Sequence, residues 1–185
     1  MSNILSERLD AYLSGLMPER DETLTEMEGY AKEHRVPIVG PLVGRMLHQL
    51  ALLKGAKRVF EMGSAIGYST IWIARAIGED GKLYYTDGSE ENAFRASDYL
   101  ERAGVSDRVE VMVGDALELL EQTVGTFDII FNDVDKHDYP RVFDLALPRL
   151  RQGGLLITDN VLWSNRVLEP SDDVDTEAIQ EYNRK

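Results

Sequence analysis

Hydrophobic and polar residues follow two periods along the chain, and from about residue 57 the two periods alternate. Short runs rich in apolar and β-branched residues predict five strands: "KRVFEM", "KLYYTD", "RVEVMVG", "FDIIFND" and "GGLLITDN". Helical spacing predicts a helix after each of the first four: "YSTIWIARAIG", "SEENAFRASDYLERAG", "DALELLEQT" and "YPRVFDLALPRL". Strands that alternate with helices predict an α/β fold with a mostly parallel sheet and helices on both faces.

The regions on either side of this alternating pattern are helical or irregular. Residues 3–16 and 19–35 form two acidic amphipathic patterns, and "PIVGPLVGRMLHQLALLKGA" predicts a third helix. The apolar face of this third helix is predicted to contain Leu42, Met46, Leu47, Leu50 and Leu53. After Asn160 we expect a loop and then the start of a helix in which the chain stops.

These patterns predict one domain over residues 1–185, which suits the length of a single α/β unit. Its expected parts are N-terminal helices over 1–35, a catalytic core over 36–169 and the start of an incomplete C-terminal segment over 170–185.

Composition narrows the classes of function. The formal net charge is −13, which disfavours a nucleic-acid partner, although most acidic residues are spread over predicted helix faces and loops. No cysteine is present, which excludes disulfides and thiolate chemistry. No run approaches the roughly 18 apolar residues of a membrane span, and the N-terminus lacks a signal pattern. We therefore expect a cytoplasmic protein with no membrane partner.

A glycine turn follows the first strand in "EMGSAIG", with Gly63 and Gly67 between strand and helix. Such a turn lets a ligand approach the backbone, although tight turns also use glycine for steric reasons alone. The G-x-G-x-x-G fingerprint of dinucleotide sites is absent, and Glu61 would repel a diphosphate. An adenosyl ligand with an amine and a sulfonium cation suits this acid better.

Two further strands end in acids. Asp87 closes the second strand, where a carboxylate can accept both hydroxyls of a ribose. Asp87 as a plain helix cap is the alternative, but Ser89 can take the role of the cap. Asp115 and Ala116 follow the third strand and suit the flank of an adenine, with Asp115 as a simple N-cap equally open.

An acidic cluster is predicted where the fourth and fifth strands end. Asp133, Asp159 and Asn160 should project from neighbouring strands at one sheet edge, and their oxygens are hard ligands suited to Mg²⁺, with Ca²⁺ or Mn²⁺ as alternatives. Lys136 lies close to this cluster, where a cation would disfavour its ammonium form, so that it can accept a proton. A surface lysine paired with Asp135 or Asp138 is the alternative. Trp163 is expected either to cover an aromatic substrate or only to pack its loop.

The chain resembles the cation-dependent class I O-methyltransferases that use S-adenosylmethionine, the group that contains catechol and caffeoyl-CoA O-methyltransferases. The matching stretches lie between about residues 36 and 169: "VFEMGSAIGYS", "YYTDGSEENA", "RVEVMVGDALE", "FDIIFNDVDKHDY" and "GGLLITDNVLWSNRV". The resemblance implies a Rossmann-like sheet and roles for individual residues. Those implied to hold the cofactor are Val39 with Gly40, Glu61, Gly63, Ser64, Gly67, Ser69, Asp87, Asp115, Ala116 and Asp133. The metal ligands would be Asp133, Asp159 and Asn160, the general base Lys136, and a substrate contact Trp163.

The implied reaction is methyl transfer to a vicinal diol, such as a caffeoyl group or another small phenolic, in a homodimer. In that family the chain continues past "EYNRK" into two more strands, so the C-terminal strand pair is expected to be missing here. This departure keeps a cofactor-binding but inactive protein open as an alternative. A nicotinamide-dinucleotide oxidoreductase is a second alternative, disfavoured by the missing glycine and by Glu61.

Overall fold

The computed structural model describes residues 7–185, with the side chains of Glu7 and Asp10 left aside. Five parallel strands form one sheet in the order β3-β2-β1-β4-β5. The strands are β1 (Arg58–Met62), β2 (Lys82–Asp87), β3 (Val109–Val113), β4 (Phe127–Asn132) and β5 (Leu150–Thr158). The α/β class and the mostly parallel sheet predicted from the sequence are confirmed.

Eight α-helices surround the sheet in the described part of the chain. They are α1 (Glu7–Gly15), α2 (Glu22–His34), α3 (Pro41–Lys54), α4 (Tyr68–Ile77), α5 (Glu90–Arg102), α6 (Ala116–Gln122), α7 (Tyr139–Ala146) and α8 (Val174–Tyr182). Short 3₁₀ helices cover Ser106–Arg108, Lys136–Asp138, Leu147–Arg149 and Trp163–Leu168. None of the helices within residues 7–185 has the length and apolar character needed to cross a bilayer.

The two faces of the sheet bury separate hydrophobic clusters, because side chains alternate along each strand. Val59 of β1 faces a cluster that includes residues of α2, α3, α4 and α5. Phe60 and Met62 of β1 face a second cluster built with residues of α6 and α7. The central strand is therefore covered on both faces, as its continuous apolar pattern requires.

The buried face of α3 differs from the predicted one. Gly44, Leu47 and Ala51 are buried, whereas Met46 is 49% exposed and Leu53 is 85% exposed. Small residues decide the packing, because a Cβ on Gly44 would lie 2.5 Å from the indole of Trp72 in α4. The helix also begins later than predicted: Gly40 is its N-cap and Pro41 occupies the first turn, so residues 37–40 lie outside the helix.

The segment after β5 contains a short helix that was not predicted. The helix predicted to begin near the end of the given sequence is α8, Val174–Tyr182. The N–H of Asn183 bonds to the carbonyl of Ile179 and closes its last turn. A 3₁₀ helix, Trp163–Leu168, precedes α8 in the region predicted as a loop.

Candidate active site

A cavity of about 700 Å³ opens at the carboxyl ends of the strands. In a parallel sheet these ends meet at one edge, on either side of the point where the strand order reverses, here next to β1. The predicted site residues that line the cavity are Val39, Gly63, Asp87, Asp115, Ala116, Asp133, Lys136, Asp159, Asn160 and Trp163. The topology therefore brings residues from six separate stretches of sequence to one place.

The glycine turn allows β1 to approach the end of β4 closely. Gly63 has φ +81°, and a Cβ there would lie 2.5 Å from the carbonyl oxygen of Asp133. Gly67 has φ +87° and begins α4, with Ala96 of α5 only 3.2 Å from where its Cβ would be. Steric need explains both glycines, and Gly63 in addition lines the cavity.

Glu61 is fully buried and lies behind the glycine turn, outside the lining of the cavity. Thr70 Oγ1 donates to its Oε2 at 2.5 Å, while Oε1 has no hydrogen-bond partner among residues 7–185. Burial raises the pKa of Glu61 to about 7, against the opposing effect of the hydroxyls of Ser69, Thr70 and Ser64. Ser64 and Ser69 are themselves buried, so all three of these predicted cofactor residues lie outside the cavity lining.

Asp87 lies at the cavity wall, and its carboxylate accepts hydrogen bonds from the glycine turn after β1 and from residues that follow β2. Oδ2 accepts from the N–H of Ala65 at 2.9 Å. Oδ1 accepts from the N–H of Ser89 at 2.9 Å and from Asn92 Nδ2 at 3.1 Å. Ser89 is the N-cap of α5, as predicted, yet this does not leave Asp87 without partners.

Asp115 caps α6, because its Oδ1 accepts from the N–H groups of Leu117 and Glu118, both at 2.9 Å. The alternative of a simple cap is therefore realised, and Asp115 lines the cavity at the same time. Val39 also lines the cavity, in the segment before α3, and is 6% exposed.

The acidic cluster brings Asp133, Lys136 and Asp159 together. Lys136 Nζ donates to Asp133 Oδ1 at 2.9 Å and to the carbonyl of Val134 at 3.1 Å, so its partner is neither Asp135 nor Asp138. Burial raises the pKa of Asp133 to about 6; Lys136 lowers it, and the negative charge of Asp159 raises it further. Two carboxylates that repel each other across a cavity favour a bound cation between them.

The loop after β5 carries an unusual backbone. Asn160, Trp163, Ser164 and Asn165 all have φ between +41° and +69°, a region that residues other than glycine seldom adopt. The N–H of Asn160 donates to Asp159 Oδ1 at 2.7 Å. Trp163 lines the cavity, and the guanidinium of Arg166 lies 5.4 Å from the centre of its ring. Strained backbone of this kind is often found where a site needs a fixed geometry.

The donor set fits a hard cation in its chemistry, with two carboxylates and one amide on neighbouring strand ends. Within residues 7–185 no group of three or more His, Cys, Asp or Glu side chains forms a metal site. The predicted set contains only two such side chains and depends on the amide of Asn160 for its third protein ligand.

Several residues of the site escaped prediction from the sequence. Asn92 holds Asp87, and it lies three residues after the cap of α5, where a polar residue carries no distinctive signal. Asp138 and Asp175 also line the cavity, flanking His137 at 3.5 Å and 3.7 Å. Asp175 belongs to α8 and lies 16 residues after Asp159 and 42 residues after Asp133 in the sequence. Only the fold brings it close to them.

Comparisons with known proteins agree with this geometry. A family model described as O-methyltransferase matches residues 17–185. Catechol O-methyltransferase of Niastella koreensis is 37% identical over 175 residues, which cover 91% of this chain and 79% of that protein. Caffeoyl-CoA O-methyltransferase 5 of Nicotiana tabacum is 32% identical over 181 residues, covering 92% of this chain and 75% of that protein. The solved O-methyltransferase of Bacillus cereus, in complex with SAH, superposes with a TM-score of 0.89 at 35% identity, covering 96% and 84% of the two chains.

The approach of Gly63 to Asp133 gives a prediction with an internal control. Gly63→Ala should lower the free energy of unfolding by about 2–4 kcal/mol, because a Cβ would push the carbonyl of Asp133 away. Gly104→Ala is the control: Gly104 has φ +67° but nothing within 4 Å of its Cβ position, so only backbone strain of about 1–2 kcal/mol is expected. Urea unfolding measures both, and equal losses would contradict the steric account.

Burial of Glu61 predicts a pH dependence of stability. The pKa of about 7 in the folded state lies above the ordinary 4.5, so the folded protein binds the proton more tightly. This contribution is present at pH 5 and is lost as the pH rises through 7. Between pH 5 and pH 8, the wild type should lose about 2–3 kcal/mol of unfolding free energy that Glu61→Gln keeps. Urea unfolding of both proteins at the two pH values tests this, and parallel losses would contradict it.

Proposed function

The chain belongs to the O-methyltransferase family, and from that premise we propose that it transfers a methyl group from S-adenosylmethionine to a hydroxyl of a catechol-like vicinal diol, with the help of a divalent cation. One observation carries this proposal. A single cavity is bordered by Gly63, Asp87 and Asp115 on one side and by Asp133, Lys136 and Asp159 on the other. Donor and acceptor held at one rigid sheet edge would gain much of the rate enhancement from proximity alone.

The side of the cavity next to β2 and β3 suits the cofactor. Asp87 is held by Ala65, Ser89 and Asn92, which fixes its carboxylate for the hydroxyls of a ribose. Ala116 follows Asp115 at the start of α6 and offers an apolar surface for an adenine. Behind Gly63, the unpartnered Oε1 of Glu61 favours a cationic ligand group on that side of the turn. The solved relative of Bacillus cereus, which contains SAH, supports this assignment.

The side next to β4 and β5 suits the acceptor. Asp133, Asp159 and Asn160 would hold a divalent cation, with Mg²⁺ as the first candidate, and the cation would make an acceptor hydroxyl more acidic. Lys136 donates to Asp133 in this structure. A cation at Asp133 would compete with Lys136 for that carboxylate and would leave Lys136 as the candidate acceptor of the hydroxyl proton. Trp163 lies at the cavity wall, where its ring can cover an aromatic acceptor.

The chemistry then conserves atoms and charge. The hydroxyl oxygen would form a bond to the methyl carbon while the bond from that carbon to sulfur broke, and the sulfonium would become a neutral thioether. The displaced hydroxyl proton ends on Lys136. The nicotinamide alternative gains no support from the relatives described above, which are all O-methyltransferases.

A homodimer and a cytoplasmic location stay predictions. Exposed apolar side chains on the packed helices α1 and α3, among them Tyr12 and Leu53, are compatible with a dimer contact.

Methyl transfer itself provides the first test. The protein is incubated with S-adenosylmethionine and 4-methylcatechol, with Mg²⁺ or with EDTA, and the product is identified by mass. We expect product only with the metal, and a loss of about 100-fold or more in kcat for Lys136→Met, because the proton acceptor is removed. Lys82→Met is the control, since Lys82 lies at the amino end of β2, away from the cavity. Equal turnover with EDTA would contradict the metal, and no turnover with binding of adenosylhomocysteine would favour the inactive alternative.

The charge of the cavity predicts which acceptors are used. Its lining contains seven aspartates (Asp87, Asp115, Asp133, Asp135, Asp138, Asp159 and Asp175) against one lysine, Lys136. Even with a divalent cation the cavity stays formally negative, so anionic acceptors are disfavoured. At low ionic strength we expect kcat/KM for dopamine to exceed that for 3,4-dihydroxyphenylacetate by about tenfold or more, with a smaller ratio at high salt.

Two variants locate this effect. Asp175→Asn should reduce the preference for dopamine, because Asp175 lines the cavity. Asp172→Asn should leave the ratio unchanged, because Asp172 is exposed outside it. Equal use of the two acceptors, or efficient use of caffeoyl-CoA, would contradict the electrostatic argument while leaving methyl transfer intact.

A further inference from the structure

Tyr139 lies outside the cavity lining and contacts two separate parts of the candidate site, Lys136 and Asp159. It is the first residue of α7, follows the 3₁₀ helix that contains Lys136, and is fully buried. Its hydroxyl donates to the carbonyl oxygen of Asp159 at 2.9 Å, and its ring centre lies 4.9 Å from Lys136 Nζ. One side chain therefore joins the candidate base to the backbone of a candidate metal ligand.

Tyr182 of α8 extends this contact to the end of β5. Its ring centre lies 5.5 Å from that of Tyr139 at an interplanar angle of 66°, an edge-to-face arrangement. Its hydroxyl lies 2.5 Å from Oγ1 of Thr158, the last residue of β5. The two phenols thus bond to consecutive residues, Thr158 and Asp159, where the strand passes into the strained loop.

The backbone at this point needs such support. The N–H of Asp159 makes the last bond to β4, to the carbonyl of Asn132 at 3.0 Å. The next residue, Asn160, already has φ +58°. The hydroxyl of Tyr139 gives the carbonyl of Asp159 its donor, and an unpaired carbonyl in this position would be unfavourable.

Three contacts hold the amine of Lys136 in place, and one of them is with the ring of Tyr139. Its Nζ donates to Asp133 Oδ1 and to the carbonyl of Val134, and the ring of Tyr139 lies beside it. The ring face of a tyrosine attracts a cation and restricts where the amine can go. Burial and the nearby charges of Asp133 and Asp159 raise the pKa of Tyr139, so its hydroxyl stays protonated and remains a donor.

We infer that Tyr139 and Tyr182 are positioning residues that fix the amine of Lys136 and the carboxylate of Asp159 relative to Asp133, and so set the geometry of the cation site. The inference rests on the proposed function. Neither tyrosine needs to touch the cofactor or the acceptor for this role, and neither is part of the cavity lining.

The test measures cation binding directly, without turnover. Mn²⁺ binding is followed by the loss of the electron paramagnetic resonance signal of free Mn²⁺, for the wild type, Tyr139→Phe and Tyr182→Phe. Tyr139→Phe keeps the ring and removes the bond to Asp159. We expect its Mn²⁺ affinity to fall by about 10-fold, the size of effect typical of residues that orient metal ligands. A smaller loss is expected for Tyr182→Phe, which acts one residue further away, and adenosylhomocysteine affinity should stay within about twofold in both.

Tyr99→Phe is the matched control, because Tyr99 is a buried tyrosine of α5 on the opposite part of the sheet. It should bind Mn²⁺ like the wild type. Tyr139→Leu removes the ring as well, and kcat should fall further than in Tyr139→Phe at saturating metal. Should Tyr139→Leu fail to fold, the phenylalanine variants still decide the matter.

The outcomes separate the two claims. If the wild type binds Mn²⁺ and transfers methyl groups, but folded Tyr139→Phe binds Mn²⁺ within twofold of the wild type, the positioning role is overturned and the proposed function stands. If the wild type binds no Mn²⁺, the metal part of the proposed function fails, and the positioning inference fails with it.

Discussion

Parallel pairing of β1 with β2 on one side and β4 on the other is the constraint on which the rest of the structure depends. Met62, the last residue of β1, is level with Thr86 and Asn132 of its two neighbours. The segments that follow these three strands therefore leave the sheet at the same edge. Asp87 and the acidic cluster at Asp133, which are 46 residues apart in the sequence, thereby come to line one cavity.

This edge concentrates negative charge that the fold alone does not neutralise. Burial raises the pKa of both Glu61 and Asp133, because the ionised form of each carboxylate is less stable here than in water. Lys136 offsets part of this at Asp133. Cationic ligands bound near these carboxylates would offset the rest, and their binding would raise the stability of the folded protein. A site that gained stability from cations in this way would also discriminate against anionic acceptors.

Strand ends were the part of the site that could be predicted from the sequence. Gly63, Asp87, Asp115, Asp133 and Asp159 follow readable apolar runs, and parallel topology then places them together. Their partners could not be predicted, because hydrogen bonds depend on loop conformation. Asp87 is held by Asn92, and Lys136 pairs with Asp133 instead of its nearer acidic neighbours. The face of α3 was misjudged for a related reason: close packing on Trp72 favours Gly44 over the larger residues that a hydrophobic pattern emphasises.

A crystal structure with adenosylhomocysteine, Mg²⁺ and a catechol tests the central claim most directly, because that claim concerns where two ligands lie at one sheet edge. The account predicts adenosylhomocysteine between Gly63 and Ala116 with its ribose at Asp87. It also predicts one cation that contacts Asp133, Asp159 and Asn160, with a catechol oxygen bound next to Lys136. A cation bound elsewhere, or a catechol separated from the cofactor by the width of the cavity, would contradict it.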